Sequence, residues 1–135
     1  MKFFPVLLFS ILFLSCGTQE IIGIPPATYV LKQNVPNPFT DTTSIEYGVP
    51  SLGTGVQGPW IRLVVYDRFQ QKQATLVNTY NHPAKTERIM WDGRGVNGTI
   101  VPKGIYFIEL QQLDAAPNEK EDNLIVLLRI TALRK

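Results

Sequence analysis

The side chains that can do acid–base, nucleophilic or metal chemistry are few and widely spaced in this chain. His82 is the only histidine and Cys16 is the only cysteine. One histidine cannot build a zinc site, which usually needs several nitrogen or sulfur ligands. His82, next to Pro83, also has no serine or cysteine at a spacing typical of a nucleophile and its base. We predict that His82 is a solvated turn residue, that the protein holds no metal or other cofactor, and that it is not an enzyme.

Carboxylates are the second group of candidates. Asp92 stands between Trp91 and Gly93, and a catalytic role would require a partner acid or nucleophile that the sequence does not provide. An aspartate at the start of a turn more commonly accepts hydrogen bonds from backbone N–H groups of the following loop, as in an Asx turn. We predict that structural role for Asp92, with Arg94 as its ion-pair partner.

A run of acidic residues towards the C-terminus raises the question of calcium binding. Its members are Asp114, Glu119, Glu121 and Asp122. An EF-hand loop needs an invariant glycine and a closing glutamate at fixed positions, and the spacing of this run does not fit. The intervening Lys120 also opposes a cation cage. We predict an exposed connection here and no metal site.

The N-terminal segment is typical of an exported protein. Lys2 precedes residues 3–14, which are apolar except for Pro5 and Ser10. The run is too short to span a bilayer comfortably, because a spanning helix needs about 20 apolar residues. It has the length and flanks of a signal-peptide core. We predict that residues 1–15 are a signal peptide.

The end of this segment resembles a lipobox, the motif of bacterial lipoproteins. The motif is Phe13-Leu14-Ser15-Cys16, in which a small residue precedes the cysteine. The resemblance implies that Cys16 becomes lipidated and, after cleavage, N-terminal. A lone cysteine in an exported chain has no disulfide partner within the chain, which also favours modification. We predict residues 16–27 as the lipidated cysteine and its tether.

The charge of the chain argues against nucleic acid as a partner. Without residues 1–15 the chain has twelve basic and eleven acidic side chains, a net charge of +1. The basic residues are scattered and form no dense stripe interleaved with aromatic residues, as a nucleic-acid surface would require.

Apolar residues recur at a spacing of two almost throughout residues 28–135, and no stretch has convincing helical spacing. In residues 44–49, for example, Ile45, Tyr47 and Val49 share one face. The pattern predicts seven strands, at residues 29–31, 44–49, 60–66, 72–77, 86–91, 105–113 and 124–133. Short strands at spacings of about 8–12 residues are typical of a β-sandwich. We predict an all-β fold, an antiparallel β-sandwich, over residues 28–135.

Two motifs separate the predicted strands, and we assign both a structural role. Pro36 and Pro38 lack backbone donors, so their segment cannot be a central strand and is better placed as a bend, with Phe39 in the core. The second motif extends from the end of the strand at residues 86–91, through a turn, to the beginning of the strand at residues 105–113. Its members are Trp91, Asp92, Gly93, Arg94, Gly104 and Tyr106.

Seven blocks of residues, in order, resemble one known family. They are residues 35–40, 43–47, 63–67, 74–77, 91–94, 104–107 and 126–128. The family is the Ig-like domain of the flagellar hook-capping protein (FlgD-like) and its relatives, which include the C-terminal sorting domains of proteins exported by the type IX (Por) secretion system. The resemblance implies an Ig-like β-sandwich.

Three residues are candidates for binding a partner: Trp60, Tyr80 and Asn97. We favour a non-enzymatic, lipid-anchored adaptor at the outer membrane of a Gram-negative bacterium, which contacts an envelope protein. Two alternatives stay open. One is a type IX secretion sorting module whose last strand, residues 124–133, is read by the export machinery. The other is a small carbohydrate-binding module that holds polysaccharide through Trp60 and Tyr80.

Overall fold

The computed structural model describes residues 24–114 and 123–135. These residues contain seven strands: β1 (Val30–Leu31), β2 (Thr43–Val49), β3 (Trp60–Asp67), β4 (Lys72–Thr79), β5 (Lys85–Trp91), β6 (Gly104–Leu113) and β7 (Leu124–Arg134). Among them there is no helix of the length and hydrophobicity needed to cross a membrane. The predicted signal peptide, the lipidation of Cys16 and most of the acidic run after Asp114 lie outside the described residues.

The seven strands form two antiparallel sheets packed as a sandwich. One sheet has the order β1-β2-β5 and the other the order β4-β3-β6-β7. Every strand pairing is antiparallel. The predicted all-β sandwich of seven strands is therefore confirmed, and each strand begins and ends within two residues of its predicted bounds.

The core lies between the sheets and is built by the alternation seen in the sequence. Ile45, Tyr47 and Val49 of β2 are completely buried, and so are the alternate residues Ile61, Leu63 and Val65 of β3. Side chains of a strand point to opposite faces in turn, so a spacing of two places one whole set of apolar side chains against the facing sheet.

An aromatic cluster closes one end of this core. The Trp91 ring centroid lies 5.3 Å from that of Phe39 and 5.7 Å from that of Tyr106. The bend that carries Phe39 contains cis peptide bonds before Pro36 and Pro38. The Phe39 N–H donates to the Leu133 carbonyl at 2.9 Å, so the bend pairs with the end of β7 instead of continuing a strand. Phe39 is buried, as predicted.

The turn after β5 is held by the residues that the sequence assigned to it. The Arg94 N–H donates to Asp92 Oδ1 at 3.1 Å, and Arg94 Nε lies 3.5 Å from Asp92 Oδ2. The Trp91 indole donates to the Arg94 carbonyl at 3.0 Å. Gly93 adopts a φ of 72°, a left-handed conformation that glycine takes without a steric penalty. Both the Asx turn and the ion pair of Asp92 are present.

Candidate functional site

His82 is buried, so the prediction of a solvated turn residue is wrong. Its side chain is 2% exposed. Nδ1 lies 2.7 Å from the Pro83 carbonyl oxygen, and Nε2 lies 2.9 Å from the Tyr47 hydroxyl. The turn between β4 and β5 lies beside the beginning of β3. There the backbone N–H of His82 donates to the Pro59 carbonyl at 2.8 Å. In the sequence, the neighbouring Pro83 indicates a turn, but it does not indicate that the His82 side chain is buried.

His82 is joined to two neighbouring strands by a short chain of hydrogen bonds. The Pro83 carbonyl can only accept, so Nδ1 carries a proton. The single Tyr47 hydroxyl proton then faces two groups, because the Glu87 carboxylate accepts from it at 2.5 Å while Nε2 lies on its other side. The Tyr47 hydroxyl thus joins the Glu87 carboxylate to the His82 ring, and Glu87 Oε2 lies 3.5 Å from Nε2.

Tyr47 keeps its proton in this chain of hydrogen bonds. Burial raises the pKa of its hydroxyl, and the neighbouring Glu87 carboxylate raises it further. Partial burial also raises the pKa of the Glu87 carboxyl, but hydrogen bonds from Lys85 and Tyr47 outweigh that effect, and the net shift of the Glu87 pKa is downward. Tyr47 therefore acts as a donor to an ionised carboxylate over the ordinary pH range.

The lowered pKa of Glu87 predicts a dependence of stability on acid. A carboxyl whose folded-state pKa lies below its ordinary 4.5 stabilises the fold above that pH. The contribution is lost as the pH falls through the lower, folded-state pKa. We expect the Glu87→Gln variant to lose less stability than the wild type between neutral pH and acid, measured by urea unfolding across that range. A variant whose stability falls as steeply as that of the wild type would contradict this expectation.

This polar cluster joins three elements of the fold. It connects β2, β5 and the turn at His82. Within residues 24–114 and 123–135, no three histidine, cysteine, aspartate or glutamate side chains come together as metal ligands would. We assign the cluster to the stability of this end of the sandwich.

Trp60 is buried, which removes it as an exposed binding residue. It is 7% exposed, and its indole N–H donates to Asn78 Oδ1 at 2.6 Å. The Arg62 guanidinium covers the ring at 5.3 Å from its centroid, and Tyr80 packs against it edge to face at 6.2 Å. Tyr80 is 43% exposed. Trp60 begins β3, a central strand of its sheet, and caps the core at that end.

Asn97 is exposed but lies far from the other two predicted binding residues. It belongs to the turn between β5 and β6, where the Gly98 N–H donates to the Gly95 carbonyl at 3.0 Å. That turn precedes Gly104, at the beginning of β6, whereas Trp60 pairs with Leu113 at the end of β6. A strand of ten residues spans about 33 Å, so Asn97 and Trp60 occupy opposite ends of the sandwich and cannot form one surface.

The outer edge of β7 carries a run of exposed apolar side chains. β7 is the last strand of its sheet and pairs only with β6 along most of its length. The first part of β7 is exposed and carries no charge; its exposed residues include Leu124, Ile125, Val126 and Leu128. The next residue, Arg129, is neutralised by Glu109 of β6. An exposed edge strand with apolar side chains is a template for pairing with another strand.

The second half of the same edge is already covered. Asn37 accepts the Leu133 N–H at 2.9 Å, and Gln33 donates to the Thr131 carbonyl at 2.7 Å. Phe39 completes the cover through its two backbone hydrogen bonds to Leu133 and Lys135. No comparable partner lies beside Leu124–Leu128 among the described residues. The accessible edge is therefore confined to the first half of β7.

The sequence predicted β7 as an apolar strand but not its exposure. A continuous apolar run is usually a strand buried on both faces. Here one extra residue, Leu127, interrupts the pairing, since Leu128 is opposite Leu110 and Val126 is opposite Gln111. Such a bulge breaks the alternation of faces, so apolar side chains emerge on both sides of an edge.

Comparison with solved structures supports the fold. No family model matches the chain, and no curated protein matches it. A solved structure with the same fold is that of dimeric latent PorU from Porphyromonas gingivalis, with a TM-score of 0.58 at 18% identity. The match covers 83% of this chain and 10% of the PorU chain. The structure of FlgD from P. aeruginosa matches at 24% identity with a TM-score of 0.46, over 69% of this chain and 60% of that one. The chain thus corresponds to a small part of PorU, and the similarity concerns the β-sandwich.

Proposed function

We propose that the protein is a lipid-anchored adaptor of the bacterial outer membrane that binds an envelope protein through the edge of β7. The observation that carries the proposal is the uncharged, exposed edge of β7 at Leu124–Leu128. Strand addition at such an edge gains main-chain hydrogen bonds for affinity and side-chain contacts for specificity. Cys16 supplies the anchor, and residues 17–27 give a tether of at most roughly 35–40 Å.

The anchor is tested by metabolic labelling with a radioactive fatty acid. We expect label on the wild-type protein and none on the Cys16→Ala variant, because the thiol is the acceptor of the lipid. The matched control is Ser15→Ala, which keeps a small residue before the cysteine and should be labelled normally. Absence of label on the wild type, or equal label on Cys16→Ala, would defeat this part of the proposal.

The binding edge is tested by crosslinking in intact cells. A photoreactive phenylalanine analogue at Ile125 should yield a crosslinked envelope protein. The same analogue at Met90, which is 59% exposed on β5 of the other sheet, should yield much less. Met90 controls for exposure and for position on an edge strand. Equal crosslinking at both positions, or products from Met90 alone, would show that another surface binds the partner.

A sorting module is the second candidate, and the same exposed strand favours it. β7 is the last strand of the described chain, and its first half is open to a reader strand. In this case the Ile125 crosslink would join the protein to a component of the export machinery, and lysine at Ile125 would retain the folded protein in the periplasm. The third candidate, polysaccharide binding through Trp60 and Tyr80, has lost its main support because Trp60 is buried.

A further inference from the structure

A groove lies at the end of the four-stranded sheet that is remote from Leu124–Leu128. It has a volume of about 520 Å³ and runs between the β3–β4 turn and the beginning of β6. Cavities that hold ligands typically measure about 300–1,000 Å³. Leu124 pairs with Leu113 at one end of β6, whereas the groove is lined by residues at the other end, including Ile105. The groove is therefore separate from the edge proposed above as the adaptor surface.

The turn beside the groove is built to present Phe69. The Asp67 carboxylate accepts the Phe69 N–H at 2.8 Å and the Gln71 N–H at 2.9 Å through Oδ1. Its other oxygen accepts from the Gln73 side chain at 3.1 Å. Phe69 is nevertheless 69% exposed, which is unusual for an aromatic ring in a turn that is fixed by its own hydrogen bonds. Together with Ile105, also exposed, it gives the groove an apolar wall.

Two cations line the groove without a carboxylate partner among the described residues. The Arg68 guanidinium stacks on the Phe69 ring at 4.7 Å from its centroid and makes no ion pair with any described residue. Lys103 lies on the opposite wall and makes none either. Asp67, the acidic residue of the lining, has three hydrogen-bond donors of its own. The groove therefore presents positive charge beside apolar surface.

The backbone of β6 adds a third feature. In the pairing of β3 with β6, the last partners are Asp67 and Tyr106. Gly104 and Ile105 extend beyond this point and have no partner from β3, although both belong to β6. On their other side, Gly104 and Ile105 pair with Arg134 and Leu133 of β7. Leu133 directs its N–H and C=O outward to Asn37 and Phe39, so Ile105, opposite it, directs its own backbone groups to the side that β3 leaves open, where an extended chain could pair with them. A sugar or a lipid headgroup could use the cations but not this edge.

We propose that the groove binds an extended peptide segment of a partner protein in which an acidic side chain is next to an apolar one. The peptide backbone pairs with the free side of Ile105. The acidic side chain binds Arg68 and Lys103, and the apolar side chain packs on Phe69. Arg–carboxylate pairs are among the stronger charge-assisted hydrogen bonds, which gives the contact its specificity for acidic sequences.

The proposal is tested with the purified full chain and labelled peptides. The probe is an eight-residue peptide in which glutamate and valine alternate. Its binding is measured by fluorescence anisotropy at low salt. A matched peptide has lysine at each glutamate position. We expect saturable binding of the acidic peptide and none of the basic one. Absence of saturable binding of the acidic peptide, or equal binding of both, would overturn the proposal.

Variants locate the site. Replacing Arg68 and Lys103 together with glutamine should weaken binding of the acidic peptide at least tenfold. The control replaces Lys32 and Arg88 with glutamine, which removes the same charge from the other sheet, and should change binding less than twofold. If both pairs of substitutions weakened binding equally, the effect would come from net charge alone, and the assignment of the site to the groove would be overturned. Circular dichroism confirms that each variant is folded.

Nuclear magnetic resonance separates the peptide from other anions. The acidic peptide should shift the backbone amide signals of Phe69 and Ile105. Sulfated dextran, a polyanion without a peptide backbone, should leave the Ile105 amide unchanged. Shifts confined to Leu124–Leu128, or an identical response to dextran at Ile105, would contradict the proposal. Since β7 is not involved, this outcome is independent of the crosslinking result.

Discussion

Replacing Trp91 with alanine should lower the free energy of unfolding by about 3–5 kcal/mol, the cost typical of removing a buried aromatic side chain. Trp91 is buried and lies between Phe39 and Tyr106, so truncation opens a cavity that neither ring can fill without leaving its own contacts. The substitution also removes the indole donor to the Arg94 carbonyl, which leaves the turn after β5 without one of its hydrogen bonds. Urea unfolding at neutral pH measures the loss.

Met90 provides a matched control for Trp91. It is the preceding residue of the same strand, but its side chain points out of the sandwich and is exposed. The Met90→Ala variant should therefore change the free energy of unfolding by about 0.5 kcal/mol or less, as most surface substitutions do. A loss below about 1 kcal/mol for Trp91→Ala would show that the aromatic cluster does not hold the two sheets together.

The strands and local turns of this fold could be predicted because their signals are local. The alternation in β2 places Ile45, Tyr47 and Val49 on one face whatever the rest of the chain does. The turn at Asp92 likewise depends on residues within two positions of it, and its hydrogen bond to Arg94 is present. Such features need no knowledge of which strands become neighbours.

The features that the sequence did not predict depend on contacts between distant residues. The buried His82 ring contacts the hydroxyl of Tyr47 in β2, which is 35 positions away in the sequence. No pattern of residues around His82 indicates this contact. The groove is lined by both Arg68 and Lys103, which lie on the same groove because β3 and β6 are neighbours. The exposure of the first half of β7 follows from its place at the edge of the sheet, which the sequence pattern does not determine.

Gly58 has the least room for a side chain of all the described glycines. A Cβ atom at this position would lie 2.2 Å from the His82 carbonyl oxygen and 3.0 Å from two neighbouring backbone carbons. The Gly58 N–H also donates to Asn81 Oδ1 at 2.7 Å. The loop before β3 and the turn after β4 thus approach each other as closely as a glycine allows, and this contact covers the buried His82.

Replacing Gly58 with alanine should therefore destabilise the protein by about 3 kcal/mol, the upper part of the range for overpacked sites, because the obstacle is backbone and cannot rotate away. Displacing the turn would also weaken the hydrogen bonds of His82, so its ring signals should broaden or shift in nuclear magnetic resonance spectra. Gly55→Ala is the control in the same loop. A Cβ atom at Gly55 would have no other heavy atom within 4 Å. Only the φ of 75° is unfavourable for alanine, and this conformation costs about 1–2 kcal/mol. If Gly58→Ala unfolds no more easily than Gly55→Ala, the loop must move away from His82 at little cost, and the polar cluster cannot depend on that contact.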